Sequence, residues 1–152
     1  MSVVGVGIDL VDVAGFAEQL DVPGTRFGAQ AFSAGERAEV GSSDPSRAQR
    51  LAARYAAKEA FVKAWAGSRF GAAPTLAEWS LSEVEVVSDP HGRPSLRLSG
   101  HVAAAVAEQF GDAWTAHVSL THDGPSAAAV VVLEHHDQHQ SVRSSDQHGD
   151  TR

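Results

Sequence analysis

The chain reads as an α+β fold: a small antiparallel sheet packed on one long helix and shorter helices. Three observations predict it. Val3 to Val13 alternates with the period of a strand, Leu51–Gly67 (LAARYAAKEAFVKAWAG) has the composition of a helix, and two later pairs of β-type runs are each split by a turn rich in proline and glycine.

In the first strand, Val4, Val6, Ile8 and Leu10 share one face and Gly5, Gly7, Asp9 and Val11 the other. Two glycines beside Asp9 mark the close approach of either a ligand or a packed helix. Ser33-Ala-Gly-Glu36 has capping-box spacing and opens a short helix. Asp44-Pro45 then supplies an N-cap and a first-turn proline, and Gly67 a stop, so the long helix is expected over Pro45 to Ala66. Projected at about 100° per residue, Ala53, Ala56, Ala57, Ala60 and Ala64 form a small-residue face, with Leu51, Tyr55, Val62 and Trp65 roughly opposite. Glu59 and Lys63 fall at the boundary.

Farther on, Glu83–Val87 and Ser95–Leu98 form a hairpin across Ser88-Asp-Pro-His-Gly-Arg-Pro94. His101 to Phe110 is helical and ends at Gly111. Strands near Thr115–Leu120 and Ala127–Leu133 flank Asp123-Gly124-Pro125, with His117, Ser119 and Thr121 on one face of the first. One domain is expected over residues 1–134. Residues 135–152 have a single aliphatic side chain, Val142, and read as a disordered polar tail. Its four histidines lack the scaffold that fixes metal geometry.

A chain of 152 residues suits a single domain with a real core. The absence of cysteine excludes disulfides and thiolate chemistry. The N-terminus has no basic start and carries Asp9 and Asp12 in its apolar run, so it is neither a signal peptide nor a membrane span, and a cytoplasmic protein without membrane association is the default. A net charge of −7 argues against general nucleic-acid binding. Arg26 to Arg69, however, holds eight basic and four acidic residues, a net +4 that leaves −11 for the rest. Such an island is either a solvated helix face or a surface for an acidic partner.

Asp9, Glu59 and Lys63 carry the chemistry. Two carboxylates plus water suit magnesium, and a lysine beside them suits the charge that develops in phosphoryl transfer. By spacing alone, Glu59 and Lys63 read first as a surface ion pair one turn apart.

Val4-Gly-Val-Gly-Ile-Asp9-Leu-Val and Arg54-Tyr-Ala-Ala-Lys58-Glu59-Ala-Phe-Val-Lys63-Ala resemble the two signature motifs of the 4′-phosphopantetheinyl transferases, in the compact holo-[acyl-carrier-protein] synthase subfamily. The similarity continues through Asp89-Pro-His-Gly92-Arg93-Pro94 and His117-Val-Ser-Leu-Thr-His122. The resemblance implies transfer of phosphopantetheine from coenzyme A to a serine of an apo acyl carrier protein. It implies magnesium on Asp9 and Glu59, catalytic roles for Glu59 and Lys63, and coenzyme A contacts from Arg54, Lys63, Gly92, Arg93, His117, Ser119 and Thr121. It also implies a homotrimer with sites at subunit interfaces. Gly92 and His117 have structural alternatives, in the turn and as a buried group. A magnesium-dependent coenzyme A hydrolase and a non-catalytic binding module are the competing functions. One departure bears on docking: Gly15 stands where the family often has a basic residue facing the acidic carrier, which leaves Arg26, Arg47 and Arg50 as candidates.

Overall fold

The computed structural model describes residues 1–73 and 78–136. The expected tail beyond residue 136 lies outside the described residues. Strand β1 (Ser2–Asp12) leads into helices α1 (Val13–Asp21), α2 (Phe27–Ala31), α3 (Ala34–Val40) and α4 (Arg47–Gly67). A 3-10 turn (Leu81–Glu83), strands β2 (Val84–Ser88) and β3 (Pro94–Leu98), helix α5 (Gly100–Phe110), and strands β4 (Trp114–Asp123) and β5 (Ser126–His135) follow. The strands form two antiparallel sheets, β1-β5-β4 and β2-β3.

The first two helices are not among the elements expected from the sequence. Asp12, in the apolar run, ends β1 by capping α1: its Oδ2 accepts the Gly15 amide at 2.7 Å. Phe16 is then buried against Phe27, Phe32 and Tyr55. The Asp12 cap and the Phe16/Leu20 spacing were the available signals. By contrast, the Ser33–Glu36 capping box forms as the spacing predicts. Helix α4 starts at Arg47, two residues past the expected Pro45. Asp44 is spent on the preceding turn, accepting from the Ser46 amide and hydroxyl and from Arg50. Strand β5 also runs to His135, and the His136 amide donates to the Ala113 carbonyl, so ordered pairing passes residue 134 by two positions.

Helix α4 is the axis of the molecule. Ala53, Ala56, Ala57, Ala60 and Ala64 are buried, and so are Leu51, Phe61 and Trp65. The reason for the alanines lies in β1. A Cβ on Gly5 would fall onto the Ala64 carbonyl oxygen, and one on Gly7 onto that of Ala60. The glycines therefore serve close helix packing rather than a ligand. On the other side, α4 meets Val84, Val86, Val102 and Val106 from β2 and α5. Helix α5 is held at its N-terminal end by Glu83, whose Oε2 accepts the Val102 amide at 2.9 Å, an anion at the positive end of the helix dipole.

Candidate active site

Burial on nearly all sides leaves α4 one open stripe. Tyr55, Glu59 and Val62 are half-buried and Lys63 is exposed, spaced one turn apart along the helix. Because Gly5 and Gly7 admit α4 so closely, the next residue on their face of β1, Asp9, arrives beside that stripe. The Lys63 Nζ reaches across and donates to Asp9 Oδ1 at 2.7 Å and to the Ile8 carbonyl at 3.1 Å. The ordinary intrahelical pair is thus replaced: among the described residues, the ion-pair partner of Lys63 is Asp9 and not Glu59.

The electrostatics bind four groups into one site. The hydrogen bond to Asp9, then the Asp9 and Glu59 charges, hold the Lys63 ammonium above its ordinary value. Burial first, then the carboxylates of Glu59 and Asp9, push the Tyr55 phenol up. Tyr55 was not singled out from the sequence, although its place one turn before Glu59 was a usable signal. Its ring packs on Phe16 and Phe27, with centroids 5.5 and 5.6 Å away, and so carries the order of α1 and α2 to the stripe.

Arg54 is not on the surface. Its side chain is buried, Nη2 donates to Glu39 Oε1 at 2.6 Å, and Nε is buried without a hydrogen-bond partner. Lys58, also buried, donates to Glu36 at 2.6 Å and to the Ala31 and Leu81 carbonyls. Glu36 in turn accepts the Ser33 and Val86 amides. This network ties α2, α3 and β2 to α4, and gives Lys58, the first lysine of the second motif, a structural task.

The remaining sequence-predicted residues lie apart. Gly92 (φ 78°) closes the β2-β3 turn, and Arg93 is paired with Asp89, whose Oδ1 accepts the Arg93 and His91 amides. These backbone donors, foremost that of Arg93, hold the Asp89 carboxyl below its ordinary value. No hydrogen bond or ion pair joins this turn to Asp9 or Glu59 among the described residues. His117, Ser119 and Thr121 of β4 are opposite Val132, Val130 and Ala128 of β5, which are opposite Val6, Ile8 and Leu10 of β1. All nine therefore share the sheet face turned away from α4, whereas Asp9 is on the face toward it. Within one chain the structure does not bring the β4 residues to Asp9. His117 is not a buried group either: it is exposed, with Nε2 2.8 Å from Glu134.

Among the described residues, no three His, Cys, Asp or Glu side chains cluster as a metal site, and no helix is long and apolar enough to cross a membrane.

A strand carrying an acid is thus laid against a central helix carrying Glu and Lys one turn apart. The profile of the 4′-phosphopantetheinyl transferase superfamily matches residues 5–131, and the chain belongs to that family. Its relatives narrow the class. The holo-[acyl-carrier-protein] synthase of Mycobacterium tuberculosis (strain ATCC 25177 / H37Ra) is 54% identical over 134 residues, covering 88% of this chain and 98% of the relative. The fold matches the Chronobacterium ammoniagenes ACPS-CoA complex with a TM-score of 0.81 at 42% identity, covering 89% of this chain and 98% of the other. It also matches the acyl carrier protein synthase of Mycobacterium tuberculosis, with a TM-score of 0.69 at 46% identity over 88% and 99% of the two chains.

Proposed function

We propose that this chain is a holo-[acyl-carrier-protein] synthase, transferring the 4′-phosphopantetheine arm of coenzyme A to a serine hydroxyl of an apo acyl carrier protein and releasing adenosine 3′,5′-bisphosphate. The single observation that carries the reading, beside family membership, is the meeting of Asp9 with the Glu59–Lys63 turn: residues of two distant motifs share one open stripe.

Asp9 and Glu59 are the oxygen donors for magnesium. Two carboxylates without a third protein ligand fit an ion that keeps several waters and completes its shell with substrate phosphate. When bound, the ion offsets charge on the pyrophosphate under attack. Glu59, half-buried and turned to the open stripe, accepts the proton of the carrier serine. The serine oxygen then forms the new bond to phosphorus as the pyrophosphate P–O bond breaks. Lys63 stabilises the bisphosphate that leaves. Gly92 and Arg93 serve the nucleotide end of coenzyme A.

The outer face of the β1-β5-β4 sheet supports a trimer. Val6, Ile8 and Leu10 are 61, 68 and 71% exposed, a continuous apolar strip that a lone chain would leave in water. Covering it with a second copy also brings His117, Ser119 and Thr121 of one subunit toward the Asp9–Lys63 edge of another. That resolves the separation of these residues within one chain, and makes the site a shared one.

Incubation with coenzyme A, magnesium and apo carrier tests the activity. A mass gain of one phosphopantetheine on the carrier is expected, and its loss in Asp9→Ala and Glu59→Ala. Bisphosphate release without carrier modification would instead mark a hydrolase, and neither product a binding module. Full activity in both variants would overturn the metal site.

A further inference from the structure

We propose that Asp9 is held in turn by the Lys63 ammonium and by the metal ion, so that cation entry displaces Lys63 from Asp9 and frees it for the leaving phosphate. This rests on the magnesium reading above and adds an exchange to it. Lys63 makes both of its contacts to β1, on Asp9 Oδ1 and the Ile8 carbonyl, and these are the very strand oxygens at the mouth of the site. The Asp9 side chain is only 16% exposed, so its carboxylate offers a narrow approach. An ammonium at 2.7 Å crowds that approach and repels a dication that needs the same carboxylate at about 2.1 Å.

The lysine is built to leave. Its side chain is 53% exposed and its stem is a flexible four-carbon chain, so it can swing away without disturbing the core. Its fixed neighbours stay in place: Glu59, one turn before, and Tyr55 behind it remain on α4. The consequence is an order of events. While Asp9 carries Lys63, neither group is ready for its chemistry. Once a cation holds Asp9, the ammonium is left on the open stripe with its donors free for the leaving phosphate. One displacement thus prepares the metal ligand and the leaving-group side of the site together.

Manganese alone, followed by electron paramagnetic resonance on the full chain without coenzyme A, tests the exchange. Lys63→Met should bind Mn2+ tighter than wild type, by on the order of three- to fivefold, the size of an exposed ion-pair contact. Unchanged or weaker binding in the variant overturns the exchange while leaving the metal site standing. No binding in either chain overturns both. Wild-type protein labelled on its lysines supplies the second arm: the Lys63 ε-methylene should be restrained without metal and become mobile as magnesium is added. Repulsion at a distance would tighten binding in the variant without mobilising the lysine, so an unmoved Lys63 also overturns the exchange.

Discussion

Replacing Gly7 with alanine probes the contact on which the whole site is built. The new Cβ would overlap the Ala60 carbonyl oxygen, a backbone atom of a helix buried on nearly every side, so no side chain can rotate away. A carbon needs about 3.3 Å from a carbonyl oxygen, which requires α4 to retreat from β1 by on the order of 1 Å. A gap of about that size forfeits between a quarter and a half of the dispersion energy at each contact along the alanine face. The cost should sit near the top of the overpacking range, about 3 kcal/mol. With a urea slope of about 2 kcal/mol per molar, the midpoint should fall by roughly 1.5 M at fixed chain concentration. Activity should drop as well, because the same retreat draws Glu59 and Lys63 on α4 away from Asp9 on β1. Gly28→Ala is the control: its Cβ would meet only Leu20 Cδ2 at 3.8 Å, an ordinary contact, so its midpoint should hold or rise slightly. If Gly7→Ala unfolded within about 0.5 kcal/mol of wild type, the account of the glycines as packing residues would fail.

Other predictions follow from the buried network, the turn before α4 and the outer sheet face. Lys58→Met leaves Glu36 buried with an uncompensated charge and should destabilise by about 3–5 kcal/mol in urea titrations, whereas Lys58→Met with Glu36→Gln should recover part of that loss. Asp44 should titrate at about 2 in a carbon-detected NMR experiment, below its ordinary 3.8, chiefly because the Ser46 hydroxyl and then Arg50 donate to it. Its folded value is the lower one, so its contribution is complete above the ordinary value and is lost as pH falls through about 2; Ser46→Ala should move the midpoint back up. Ile8→Glu places a charge on the outer apolar strip and should yield single chains in sedimentation. Mixing Asp9→Ala with His117→Ala chains should restore about a quarter of wild-type activity if each site draws one residue from each of two subunits, and none if sites lie within one chain.

Much of the fold was legible because its signals are local. A capping box, an alanine-rich run and turn glycines act over a few residues, and the corresponding helices and hairpins formed with end shifts of at most three positions. The shifts themselves have local causes, such as Asp44 turning back on Ser46 instead of capping α4. Helices α1 and α2 were missed because only packing on Phe16, Phe32 and Tyr55 makes such short segments persist.

The site divides along the same line. The sequence by itself determined the chemistry on offer: two carboxylates and a lysine at motif spacing, with Asp9 on the glycine face of its strand. Only the tertiary structure decided their partners. It paired Lys63 with Asp9 rather than Glu59, buried Arg54 and Lys58 in separate ion pairs, and set His117, Ser119 and Thr121 on the far side of the sheet. The physical reason is that strand and helix periodicity fix which residues share a face, but which face meets which is settled by packing. Here the decision fell to two missing Cβ atoms, at Gly5 and Gly7, that let α4 lie directly on β1.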